Sequence, residues 1–222
     1  SIGLMKFLRE LRANNSRDWF EANRDRYERE MLEPALEFIE AFAPYLRRIS
    51  PNFVASTRRS GGSLFRIHRD VRFSKDKSPY KTHLGIQFRH AQAKDVHAPG
   101  FYLHIEPRES FVGVGIWHPE SSTLTKIRDA IVDDPSRWNR DAHGKRFESI
   151  YHLSGDSLKR PPTGYDREHR FVEDLKRKDF IGVASLPDRA VTADDLLGNF
   201  ADHCRGAGGF MKFLCKAVGV PY

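Results

Sequence analysis

The chain has 222 residues, of which 39% are hydrophobic and 12% aromatic, and a formal net charge of +7. The apolar content excludes a disordered chain, and the length fits one large domain or two small ones. The positive balance favours a phosphate-bearing or carboxylated partner over a cationic one.

The opening SIGLMKFLRELR has an apolar run too short and too interrupted by charge for a signal peptide, and Ser1 leaves the natural start open. Residues 4–49 read as helix. Leu4, Phe7, Leu8 and Leu11 form one apolar stripe, and one of Asn14, Asn15 and Ser16 is expected to cap the next helix. Trp19, Phe20, Asn23, Tyr27 and Met31 continue the helical spacing. Pro34 either kinks that helix or opens another at its first turn.

STRRSGG, residues 56–62, is a loop by composition. Period-two alternation follows in four stretches, around Phe65 and Ile67, Leu84 to Phe88, Phe101 to Ile105, and Val112 to Ile116. The spacing predicts an antiparallel sheet with one buried face, and EPRES, residues 106–110, as a hairpin turn. A helix is expected over 122–131, a mixed segment over 135–155, a Pro-Gly loop from Leu158, a short helix over 168–176, and a further strand at FIGVASL, residues 180–186. Thr192 is expected to cap a last helical region, which GAGG at 206–209 interrupts. With no repeat and no linker, the pattern predicts one α+β domain over 1–222, with an antiparallel central sheet of about four to five strands packed against N-terminal and C-terminal helices.

The segment RIHRDVRFSKDKSPYKTH, residues 66–83, concentrates the charge. Arg66, Arg69, Arg72, Lys75, Lys77 and Lys81, against Asp70 and Asp76, give it +4 of the chain's +7. Arg can grip a phosphate or carboxylate with a planar fork, and Lys adds a mobile point charge. These six residues with Tyr80 are the expected ligand-binding set, with Asp70 holding Arg69 or Arg72 in place. The same pattern also fits a solvated edge and structural ion pairing.

Alternation sharpens the functional case. If Phe65, Ile67, Leu84, Ile86, Phe88, Leu103 and Ile105 are buried, the opposite face carries Arg66, His68, His83, Gln87, Tyr102, His104 and Glu106. A cleft floored by Arg66, His83, Tyr102, His104 and Glu106 is the candidate pocket. His83, His104, Glu106 and Tyr102 are the catalytic candidates, because His and Glu supply both proton states near neutrality.

No metal-binding motif is present, and no cofactor is expected. His97 and His104 lie seven apart, and a zinc or iron site would have to be assembled from distant residues such as His83, His104 and Glu106. Phe73, Tyr80 and Tyr102 could stack bases if the partner were a nucleic acid. Trp117 and His118 end a strand, and Trp117 reads as core. KRPPTGYDREH, residues 159–169, is a second wall over the basic segment or an ordinary surface crossover. GVG at 113–115 lies inside a strand, so it is no dinucleotide fingerprint. Cys204 and Cys215 read as buried small residues, and two cysteines without a pairing pattern suggest a reducing, cytoplasmic setting.

FLRELRANNSRDWFEANRDRYE, FRIHRDVRFSKDKSPYKTHLGIQF, GVGIWHPE and LKRPPTGYDREH together resemble the DUF2461 family, over nearly the whole chain. RDVRFSKDKSPYKTH and NNSRDWF are the most specific parts. The resemblance implies a single domain and carries over no activity, cofactor or catalytic residue.

The first functional expectation is therefore a domain binding a small or polymeric anion through the basic segment. The alternatives are an enzyme acting on a phosphorylated or carboxylated small substrate by His/Glu acid–base chemistry, and a nucleic-acid-binding module. No apolar run approaches the ~20 residues of a membrane span, so no membrane partner is expected. A homo-oligomer is left open.

Overall fold

A computed structural model of the chain describes residues 1–92 and 98–222. The N-terminal helices are α1 (Ile2–Ala13), α2 (Arg17–Ala22), α3 (Arg24–Tyr27) and α4 (Glu33–Ile49). Leu4, Phe7, Leu8 and Leu11 form the buried stripe of α1, as their spacing predicts. Ser16 is the residue that caps α2, its hydroxyl oxygen accepting from the Trp19 N–H at 3.3 Å. A π-helical turn, Glu28–Leu32, joins α3 to α4 without leaving helical backbone, and Pro34 follows it in the first turn of α4.

Five strands follow: β1 (Leu84–Arg89), β2 (Gly100–Ile105), β3 (Phe111–Ile116), β4 (His152–Ser154) and β5 (Phe180–Ser185). They form one antiparallel sheet in the order β1-β2-β3-β5-β4. EPRES is the expected tight turn between β2 and β3. Its closure uses the Glu109 N–H donating to the Glu106 carbonyl at 3.0 Å, with Arg108 at φ 71°.

The expected strand at Phe65–Ile67 does not form. The chain there runs beside β1 but pairs only at points, Leu64 with Ile86 and then His68 with Tyr80. It veers off β1 to meet the returning basic loop, where Lys81 N–H donates to the Ile67 carbonyl. β4 is the strand that alternation missed, since three residues are too few to show a period.

The helices after β3 are α5 (Ser121–Asp133), α6 (Pro135–Ala142), α7 (Lys145–Glu148), α8 (Val172–Leu175), α9 (Asp188–Thr192), α10 (Leu196–Gly206) and α11 (Gly208–Val218). Thr192 does not cap a helix. It ends α9, and its hydroxyl donates back to the Asp188 carbonyl at 3.0 Å. The helix expected over 168–176 shrinks to α8, because Asp166 and His169 side chains accept the N–H groups of Glu168 and Phe171 and hold the chain in turns. GAGG marks the break between α10 and α11.

One face of the sheet packs on the helices. Ile86, Phe88, Leu103, Val112, Val114 and Ile116 are buried there, and Phe88 meets Phe42 of α4 with ring centroids 4.7 Å apart. The apolar core is one cluster running from α1 to α11. No helix among the described residues is long and apolar enough to cross a membrane.

Candidate functional site

The other face of the sheet floors a cavity of about 720 Å³. Antiparallel register brings its polar end together. Leu84 pairs with Ile105 and Gly85 with His104, so His83, just before β1, falls across from Glu106. Tyr102, His104 and Glu106 then share a face because alternate strand residues do.

Gly85 makes the floor possible. A Cβ added there would come within 2.6 Å of the Tyr102 hydroxyl, so glycine lets the phenol lie across β1. The walls are apolar and aromatic: Phe65, Phe111, Ile181, Val183 and Trp117. The Phe111 ring stacks on His104 at 4.5 Å.

Three bonds run in series at the polar end. The Glu106 carboxylate lies 3.1 Å from His104 Nε2, and His104 Nδ1 lies 3.1 Å from the Tyr102 hydroxyl. A carboxylate only accepts, so Nε2 carries the proton of the neutral ring and Nδ1 accepts from Tyr102. The other Glu106 oxygen accepts from Thr82 Oγ1 at 3.0 Å and lies 3.8 Å from the Arg12 guanidinium. His83 Nδ1 is 4.0 Å from Glu106, and its ring centroid is 4.4 Å from that of His104.

Burial pushes His83 down to about 4, with the neighbouring His104 adding to the effect and Glu106 opposing it. Burial also lowers His104, against the bond to Glu106. Tyr102 is pushed up to about 12, chiefly by burial. Both imidazoles are therefore neutral and the phenol protonated at pH 7. Such a chain can take a proton at one end and release one at the other.

Of the residues expected in the cleft, His83, Tyr102 and His104 line the cavity, and Glu106 stands behind them. Arg66 and His68 are exposed and outside it. Phe65, expected in the core, is half-buried on the cavity wall. The basic segment folds largely onto itself. Arg69 pairs with Asp76 and also donates to the Ser78 carbonyl. Arg72 grips Asp70 through two nitrogens, at 2.9 and 2.7 Å. Lys77 and Lys81 donate to the carbonyls of Val71 and Arg66, and Lys75 is exposed. The Arg72 bond holds the Asp70 carboxyl at about 2, and Asp76 is held at about 2 by Ser78 and Arg69.

Tyr80 is buried at 3% exposure and stacked on Phe20, with centroids 4.0 Å apart. Phe73 is 95% exposed, with the Arg72 guanidinium 5.9 Å from its ring centroid. Of the three rings expected to stack bases, Tyr80 is buried and Phe73 is exposed, while Tyr102 lines the cavity. His97 lies outside the described residues.

Trp117, expected in the core, is 51% exposed and lines the cavity. Its turn is fixed by buried Asp179, which accepts the His118 N–H at 2.7 Å and lies 2.9 Å from His118 Nδ1. The available signal was Gly113 and Gly115 within a strand, a pattern that marks close approach or open space. The 159–169 segment is a surface crossover anchored to α5, where the Tyr165 hydroxyl donates to Asp129 at 2.8 Å. Cys204 and Cys215 are buried free thiols, as expected.

The family described as conserved hypothetical protein (DUF2461) matches residues 3–213, and the chain belongs to that family. No curated protein and no solved structure matches it.

Proposed function

We propose that the cavity is the active site of an enzyme acting on a small substrate with an apolar body and a carboxylate or phosphate end. The observation that carries this reading is the Tyr102–His104–Glu106 series, set at the end of an apolar cavity of ligand size. His104 is the proton-transfer group, Glu106 orients it, and Tyr102 presents or receives the proton on the cavity side. His83, neutral and half-buried, is the second base. Arg12 beside Glu106 and Lys81 close to His83 supply positive charge for an anionic end group.

This reading is favoured over simple anion capture by the basic segment because Arg69 and Arg72, the best anion grips there, are bound to Asp76 and Asp70. A cytoplasmic setting fits the two buried free thiols.

A panel of small aromatic and aliphatic carboxylates and phosphate esters, screened by thermal shift and then for turnover, tests the reading. Expected is a ligand that stabilises the protein and whose turnover falls about 100-fold or more in His104→Gln. Turnover surviving that change, or ligands that shift Arg69→Ala/Arg72→Ala differently from wild type but ignore the cavity variants, would overturn it.

A further inference from the structure

We propose that His83, His104 and Glu106 form a binding site for one divalent transition-metal ion at the polar end of the cavity. The inference rests on the reading of this cavity as the active site and names the cofactor it would take; with the ion in place His83, His104 and Glu106 serve as its ligands, and an ion-bound water supplies the acid–base chemistry that the free imidazoles supply without it.

One potential ligand atom from each residue lies within 4.8 Å of the others. His104 Nε2 and Glu106 Oε2 are 3.1 Å apart. Two ligands at right angles, each ~2.1 Å from one ion, lie ~3.0 Å apart, so this pair is already at coordinating separation. His83 Nδ1 is 4.0 Å from the same oxygen, which corresponds to a wider angle at the ion. His104 and Glu106 are carried by or directly follow β2, whose register is fixed on both sides. His83 precedes β1 instead of lying within it, so its ring is the member free to close on the ion. Sites built on strands hold their ligands more rigidly than sites built on loops.

The surroundings fit a metal centre in a second way. Imidazole and carboxylate ligands of metal sites commonly make a further hydrogen bond that orients them. Here the Tyr102 hydroxyl holds His104 Nδ1, leaving Nε2 for the ion. Thr82 and Arg12 hold the far oxygen of Glu106, leaving the near one for the ion. Two imidazoles and one carboxylate suit Zn²⁺, Fe²⁺, Mn²⁺ or Co²⁺ better than Mg²⁺ or Ca²⁺, which prefer all-oxygen shells. Three protein ligands leave coordination positions for water or substrate, and His83 and His104 line the cavity. Binding switches the tautomer of His104: its one proton passes from Nε2 to Nδ1, which then donates to the Tyr102 oxygen, and the bond to Glu106 is replaced by two bonds to the ion.

Chelator-treated protein titrated with Co²⁺ tests this, with calorimetry for stoichiometry and visible absorption for geometry. Expected is one saturable site per chain with d–d bands, lost in His83→Ala and Glu106→Gln, and weakened about 10- to 100-fold in Tyr102→Phe. Circular dichroism of the metal-free variants separates lost ligation from lost folding, and His83→Gln serves if His83→Ala unfolds. No saturable Co²⁺ binding by wild type, or binding unchanged in the folded His83 and Glu106 variants, overturns the site. If Co²⁺ fails to bind but the protein still takes a cavity ligand, only the metal inference falls. If Co²⁺ binds as expected but no cavity ligand is found, the substrate reading falls and the metal site stands.

Discussion

The Asn15 side chain binds both backbone groups of Tyr80, its Nδ2 donating to the Tyr80 carbonyl at 2.9 Å and its Oδ1 accepting the Tyr80 N–H at 3.1 Å. The amide acts as a one-residue strand and ties the α1–α2 corner to the end of the basic loop, 65 residues away. Asn15→Ala leaves two partly buried backbone groups without these partners. Expected is a loss of about 2 kcal/mol in chemical denaturation, with Asn15→Asp intermediate because it keeps the acceptor.

The low-lying His83 makes stability depend on pH. Between ~6.5 and about 4 the unfolded chain binds a proton there that the folded protein refuses. The contribution is whole above ~6.5 and is lost as pH falls through that window. Its loss is at most about 3 kcal/mol. Denaturation of metal-free protein from pH 7 to 4 should show this fall, and His83→Gln should flatten it. An unchanged slope in the variant would refute the assignment.

Gly85→Ala isolates the Tyr102 bond. The new Cβ would lie 2.6 Å from the Tyr102 hydroxyl, which must move off His104. A phenol end can shift, so the expected stability loss is only about 1–2 kcal/mol. Ligand affinity of the cavity should fall much further, read by titration with any compound found in the screen.

Asp174 anchors a buried structural network whose members do not line the cavity. Its Oδ2 accepts from Trp138 Nε1 at 2.8 Å and lies 2.6 Å from His143 Nε2, while Oδ1 accepts from Arg177 at 2.9 Å. At 4% exposure none of these bonds is replaced readily by water. Asp174→Ala should cost about 3–5 kcal/mol and lower Tm sharply without altering metal stoichiometry in the folded fraction.

Arg72→Ala is the contrasting case. Its pair with Asp70 is exposed on both sides, so thermal unfolding should barely move. Binding in the cavity should be unaffected. A large loss of ligand affinity would return the basic segment to the centre of the function.

Alternation made much of this legible. His83, Tyr102, His104 and Glu106 were placed on one face because the β1–β2 pairing keeps an unbroken register over six residue pairs. The N-terminal helices and the EPRES turn follow from spacing and turn chemistry in the same way. The ion pairs of the basic loop were not legible in detail, since which carboxylate meets which guanidinium depends on how residues 70–78 turn. Phe65 alternates like a core residue yet faces the cavity, because its segment pairs with β1 only at single bridges. Trp117 has the composition of a core residue, and only the Asp179-held turn after β3 turns it outward.

The borders of the sheet have a consequence for self-association. Beside β1 the chain supplies its own cover, with Val54 donating to the Arg89 carbonyl, Phe65 to that of Gly85, and Gln87 of β1 donating to that of Ser63. At the opposite border β4 is three residues long. A neighbouring molecule meets a short ledge there and an occupied one at the other end, so the Val- and Phe-rich interior strands are shielded from templating fibrils in a crowded solution.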